Sequence, residues 1–338
     1  MKIITKIQLI ILDNLVWLLL LIFFLFNAFL TPSFMKSRNL INILFQSSLV
    51  GMLVLAQGMV MMVGELDLSI DAILAFAPGV TILLAKNIIP GLNPILCIFI
   101  TLALGAAVGC VNGFFVAKLK TNSFLLTLSS QIIMRGLVLF LVPFSLSRLA
   151  KEYVFLGRTW IGGVFPAAAV AFLVIFILFE FILRKTIFGR KLMLTGGNRR
   201  ASYIAGINTD GMIVWAFAIA GILSAVAGLI AAGRQNAVSN NMGDGMVMMA
   251  FAGAILGGCS FNGGMGKPIG MLGGALLLGM IDNALTLQGV EVNLVSVAKG
   301  VLIFIAILLD LMRNRMIVQI MHRENIRKLV AHEHIGGA

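Results

Sequence analysis

The sequence predicts an all-α integral membrane protein of about ten transmembrane helices, on three observations. Charged residues make up 11% of the chain, where soluble domains carry roughly 25%. Hydrophobic residues make up 60%, with a mean hydropathy of +1.06. The apolar residues also fall in continuous runs, at 15–30, 95–116, 124–144, 165–183 and 294–309, that approach or reach the roughly 20 residues a helix needs to cross a bilayer. Core helices of a water-soluble protein would need amphipathic partners to cover them, and the sequence supplies almost none. A β-barrel would alternate with period two, and these runs do not.

The crossings follow in order. Lys2 and Lys6 precede the first run, which is long and has no small-x-small cleavage site after it. This predicts a retained first crossing, 15–31, behind a cytoplasmic segment 1–14. The second crossing, 43–63, runs into the acidic stretch GELDLSIDA. The third, 69–86, starts there, with Asp67-Leu68-Ser69 as its N-terminal signal. The fourth, 94–116, carries Gly105-x-x-x-Gly109, a small-residue spacing that lets helices touch. The fifth is 123–142 and the sixth 164–183. After the longest polar segment between crossings, 184–210, comes the seventh, 211–232. The eighth, 246–259, is short enough to be a half-helix. The ninth, 268–287, carries Gly270-x-x-Gly273-Gly274, and the tenth, 294–311, leads into a polar tail, 313–338. No polar block is large enough to fold apart, so residues 1–338 form one transmembrane domain.

Charge orients the chain. With the N-terminus inside, the cytoplasmic segments hold sixteen Lys and Arg and the external ones seven, which places both termini in the cytoplasm. The same distribution accounts for the net charge of +12 without a nucleic-acid partner. Cys97, Cys110 and Cys259 lie in apolar or Gly-rich surroundings without CxxC spacing, so neither a disulfide framework nor a zinc site is implied. His322, His332 and His334 fall in the tail. Gly109-x-x-Asn112-Gly113, Asn122 and Arg135-Gly136-Leu137 parallel Gly279-x-x-Asp282-Asn283, Asn293 and Lys299-Gly300-Val301 on crossings of opposite direction. That parallel suggests an inverted repeat of two five-helix halves, a habit of transporters.

Three motifs carry the functional reading. The first is Gly64-Glu65-Leu66-Asp67-Leu68-Ser69-Ile70-Asp71. A carboxylate at the bilayer centre costs roughly 2.5–3.5 kcal/mol on insertion scales. The acids Glu65, Asp67 and Asp71 are therefore expected at a helix break beside a polar path, offset by water or by the intramembrane cations Arg135 and Lys299. The second is the Gly-rich stretch 255–274, with Gly257, Gly258, Gly263, Gly264 and Gly266. Its Gly266-Lys267-Pro268 hints at a P-loop, but Phe261 stands where the leading Gly is required and Pro268 where Ser or Thr should be. It is not a nucleotide site. Irregular backbone at membrane depth is tolerated against protein or water, so this loop should pack near the central path or the cytoplasmic face. The third is the basic segment 184–211. Within it, Arg199 to Ala205 forms a short helix opened by Asn198 and closed by Gly206, bracketed by Gly196-Gly197-Asn198 and Gly206-Ile207-Asn208. A short surface helix between such turns is a docking element. No catalytic nucleophile and no metal-spaced cluster is found on a span, so neither enzyme chemistry, cofactor nor metal is expected.

GELDLS, GRKLMLTGGNRRASYIAGIN, LGGCSFNGGMGKPIG and AKGVLIFIAILLD, in that order, make the chain resemble the permeases of ribose-type bacterial ABC importers, over about 39–313. The resemblance implies ten-helix subunits in the cytoplasmic (inner) membrane, paired as a homo- or heterodimer. It implies a separate ATPase subunit, which hydrolyses the ATP, and an extracytoplasmic solute-binding protein as partners. The coupling role then falls on Gly196, Gly197, Asn198, Ala201, Gly206 and Ile207. In this family Glu65 and Asp71 are usually glycines, and Met246, Val247 and Met248 usually an acidic Glu-Leu-Asp. Two rival readings are a branched-chain amino-acid-type ABC permease and an ion-coupled secondary transporter. The latter would use Asp67, Arg135, Asp282 and Lys299 as a relay.

Overall fold

A computed structural model describes residues 14–291 without interruption and short stretches between 294 and 316. The expected N-terminal segment 1–14 and the tail with its histidines lie almost wholly outside the described residues, and the tenth crossing lies partly outside them.

Among the described residues, seven helices are long and apolar enough to cross a membrane. They are α2 (Ser37–Met62), α3 (Ile70–Leu83, continued by a π turn, Leu84–Ile88), α4 (Pro94–Lys118), α5 (Ser123–Leu141), α7 (Ala167–Lys185), α10 (Thr209–Gln235) and α12 (Pro268–Leu287). Two further apolar helices are shorter, α1 (Leu15–Leu30) and α11 (Met246–Leu256). The eighth expected crossing is thus an 11-residue helix, about 16 Å long at 1.5 Å per residue, and stops halfway. Shorter elements lie between them: α6 (Phe155–Arg158), α8 (Ile187–Gly197), α9 (Arg199–Ile204) and, among residues 14–291, four two-residue strands. Among the strands, β1 (Leu146–Ser147) pairs antiparallel with β4 (Ala237–Val238), and β2 (Trp160–Ile161) with β3 (Phe165–Pro166).

Burial sorts the helices into layers. The apolar window of α2 is 83% buried and those of α10 and α12 are 72% buried, against 22% for α4 and 17% for α5. The outer faces of α4, α5 and α7 present Phe99, Ile132, Phe140, Ile177 and Phe181, side chains suited to lipid. Glycine sets how closely the layers meet. A Cβ added at Gly105 would stand 2.4 Å from the Gly221 carbonyl oxygen, and one at Gly221 would stand 2.0 Å from that of Gly105. The spacing read from the sequence therefore lies on the α4–α10 contact, where backbones touch. Gly51 leaves room in the same way for the ring of Phe172, which packs edge-to-face on Phe176 at 4.9 Å.

The segment expected as a loop with one short helix, 184–210, is more ordered than that. Residues Ile187–Gly197 form α8, so Gly196 and Gly197 end a helix instead of forming a turn. At this helix end Gly196 is pressed against backbone of other segments, where a side chain would collide, whereas a Cβ on Gly197 would meet only Gly264 Cα, at 3.9 Å.

Candidate functional site

The break between α2 and α3 is built by side chains of α5. Residues 63–69 leave the helical ladder, starting at Gly64 (φ +80°). Buried amides there need other partners, and α5 supplies them from one stripe. Ser123 Oγ accepts from the Leu66 amide (3.3 Å), and Thr127 Oγ1 from the Leu68 amide (3.0 Å). One turn further, Gln131 Nε2 donates to Asp71 Oδ1 (2.9 Å), and Arg135 lies 3.5 Å from Asp71 Oδ2. The four residues are spaced by four and share a helix face. Arg135 was expected from the sequence as a cation offsetting the acids, and it meets Asp71; Ser123, Thr127 and Gln131, at the same spacing on 123–142, were missed.

The acids of the motif take three environments. Asp67 is buried, and its Oδ1 accepts from the Ser69 amide (2.8 Å) and hydroxyl (2.6 Å). Asn112 Nδ2 donates to the same hydroxyl (3.0 Å). Ser69 holds the N-cap position of α3 without a side-chain cap bond, so Asp67 orients the cap residue rather than capping the helix itself. Asp71, also buried, pairs with Arg135. Glu65 faces Arg199 at 3.7 Å. Burial raises its carboxyl above the ordinary range, against a hydrogen bond from Ser123 and the charge of Arg199. Lys299 offsets none of these. It pairs at 2.8 Å with Asp282, and both side chains are partly exposed.

The three motifs meet at one junction. The Gly264 amide donates to the Met62 carbonyl at 3.0 Å. A Cβ on Gly196 would lie 1.9 Å from that same oxygen and 2.7 Å from the Gly264 nitrogen. One on Gly263 would lie 2.7 Å from the Gly196 oxygen and 2.8 Å from Gly64 Cα. The rest of the Gly-rich loop is shaped by its own contacts. Gly258 takes φ +89°, Gly257 packs on the backbone of Met271, and Gly266 faces the Met62 and Cys259 side chains.

Beside the junction stands α9. Asn198 Oδ1 accepts from the Ala201 amide (2.9 Å) and opens the helix. Gly206 (φ +80°) closes it, with the Ile207 amide bonded to the Ser202 carbonyl. Arg199 ties the helix down: one Nη2 donates to the Ala117 carbonyl and to Asp210 Oδ1, each at 3.0 Å. Lys118 reaches the other Asp210 oxygen at 3.3 Å. The opposite face is bare, with Ala201 exposed, Tyr203 72% exposed and Ile204 77% exposed. Next to it opens a cleft of about 630 Å³ lined by Glu65, Lys120, Arg199, Arg200, Tyr203 and Asp210. Among the described residues no group of three His, Cys, Asp or Glu side chains is placed to hold a metal ion.

A bundle of apolar helices, a half-helix and a broken helix whose starts meet within the bundle, and a structured basic surface at one end define a membrane transport protein. Residues 39–307 match the family described as "Branched-chain amino acid transport system / permease component". The chain belongs to this family of permease components. It is 35% identical to the ribose import permease of Bacillus subtilis (strain 168) over 84% of this chain and 88% of that protein. It is 32% identical to the ribose import permease of Escherichia coli (strain K12) over 83% and 88%. It is 30% identical to the D-allose transport system permease of the same organism, over 87% and 90%.

Proposed function

We propose that the chain forms the translocation path of an ATP-driven importer for a monosaccharide or a similarly small polar solute. The observation that carries this reading is likeness along nearly the whole length to permeases named for ribose import and D-allose transport. On this reading the chain sits in the inner membrane with both termini in the cytoplasm, in about ten crossings if the half-helix is counted. The sixteen-to-seven bias of basic residues supports that orientation. An inverted repeat of two five-helix halves is part of the same proposal.

The partners are an ABC ATPase that hydrolyses ATP, a second permease subunit and an extracytoplasmic solute-binding protein. The ATPase docks on α9. A bare apolar face on a short, tied-down helix, with small Ala201 at its centre, suits insertion into a groove. The test is uptake of radiolabelled ribose, D-allose and leucine by membrane vesicles bearing the complete complex, with and without ATP. ATP-dependent uptake of a sugar is expected. Uptake of leucine in its place would favour the branched-chain amino-acid reading. Sugar uptake that a protonophore abolishes, while loss of the ATPase does not, would favour ion coupling.

A further inference from the structure

Two discontinuous helices begin beside one ion pair. Helix α3 starts at Ile70 after the break, and α11 starts at Met246 after Gly245. Arg135 stands between these starts, about 18 Å along α5 from Ser123, well inside this span. Its Nη1 donates to the Met242 carbonyl (2.8 Å), just ahead of α11. Its Nη2 donates to the Asp71 carbonyl (3.0 Å) and faces the Asp71 carboxylate (3.5 Å). Gln131 holds the other carboxylate oxygen. The chain before α11 is pressed onto α3: a Cβ on Gly243 would lie 3.1 Å from the Asp71 carbonyl oxygen. A single guanidinium thus fastens three segments together.

Asp71 is fully buried and the Arg135 side chain is 17% exposed. Such pairs are costly at this depth, and a static brace of apolar side chains would hold as well or better. An ion pair that parts and re-forms fits a joint that moves. Helix α11 leads from this joint to the loop whose Gly263 and Gly264 rest on Gly64 and Gly196. The loop that follows α11 therefore rests on the C-terminal end of α8, which leads directly into α9.

We propose that Asp71 and Arg135 are positioning residues that latch the foot of α11 and keep the path closed at mid-depth, and that α11 carries movement of the α8–α9 surface to this latch. The inference rests on the transport reading above. It is tested by trapping radiolabelled ribose in proteoliposomes that hold the permease with its ATPase, and following efflux without ATP. The double variant Asp71→Asn/Arg135→Gln removes both charges and leaves neither one buried alone. Efflux roughly tenfold faster than wild type is expected, the size of a gate losing one such contact, while trapped dextran stays inside. Gln131→Leu keeps both charges and should leak less, though above wild type. A purely structural pair predicts tight vesicles, and wild-type efflux from both variants overturns the latch. If the double variant does not insert, Gln131→Leu decides alone. Failure of the transport reading is distinct: wild-type complexes would then show no ATP-driven uptake.

Discussion

Gly196 and Gly206 stand ten residues apart in one segment, and the structure assigns them opposite tolerances. At Gly196 an added methyl meets the Met62 carbonyl at 1.9 Å, so Gly196→Ala has to push two backbones apart. At Gly206 nothing lies within 4 Å, and only φ +80° opposes a side chain, a cost of about 1–2 kcal/mol. Gly196→Ala should abolish uptake and lower the melting temperature in detergent, and Gly206→Ala should leave most of both; equal behaviour of the two would contradict the packing. Asp67→Ala strips the Ser69 amide and hydroxyl of their acceptor, a loss of about 1–3 kcal/mol for a buried group. Uptake should fall in the Asp67→Ala variant while the amount in the membrane stays normal. Glu65→Gly breaks a partly exposed pair with Arg199, worth roughly 0–1 kcal/mol, and should leave folding nearly unchanged.

At the scale of elements, α5 acts as a rail for the broken helix. Thr127→Val keeps the shape but leaves the buried Leu68 amide without its acceptor. The expected result is a loss of thermal stability that Thr127→Ser restores; if Thr127→Val is as stable as wild type, the rail has no role in holding the break. The docking proposal is tested on α9, where Ala201→Trp should leave insertion intact and reduce uptake and stimulated ATP hydrolysis together. Much of this level was legible in the sequence. Asn198 and Gly206 bracket a helix in the sequence and in the structure because caps act locally. The half-helix followed from its length. The polar stripe of α5 was visible only at a spacing of four, and Arg199 as the partner of Glu65 was not visible at all. That pairing joins residues far apart in the chain through the fold alone.

For the molecule as a whole, burial separates a core of α2, α10 and α12 from an outer layer of α4, α5 and α7. Apolar composition showed the membrane class but could not rank the helices, because lipid and protein interior favour the same side chains. The orientation is checked by cysteine labelling in a background without Cys97, Cys110 and Cys259. A cysteine at Arg327 should be shielded from an impermeant reagent in intact cells, and one at Lys151 should react; reaction of both at one rate would refute two cytoplasmic termini. The glycine junction bears on engineering. Residues 64, 196 and 263–264 meet through backbone with no side chain between them, so the helix break, the end of α8 and the Gly-rich loop form a single interlocking part. A chimera that imports only the 190–208 segment from a distant relative should fail wherever the donor lacks glycine at position 196. Grafting all three segments together should restore the fit.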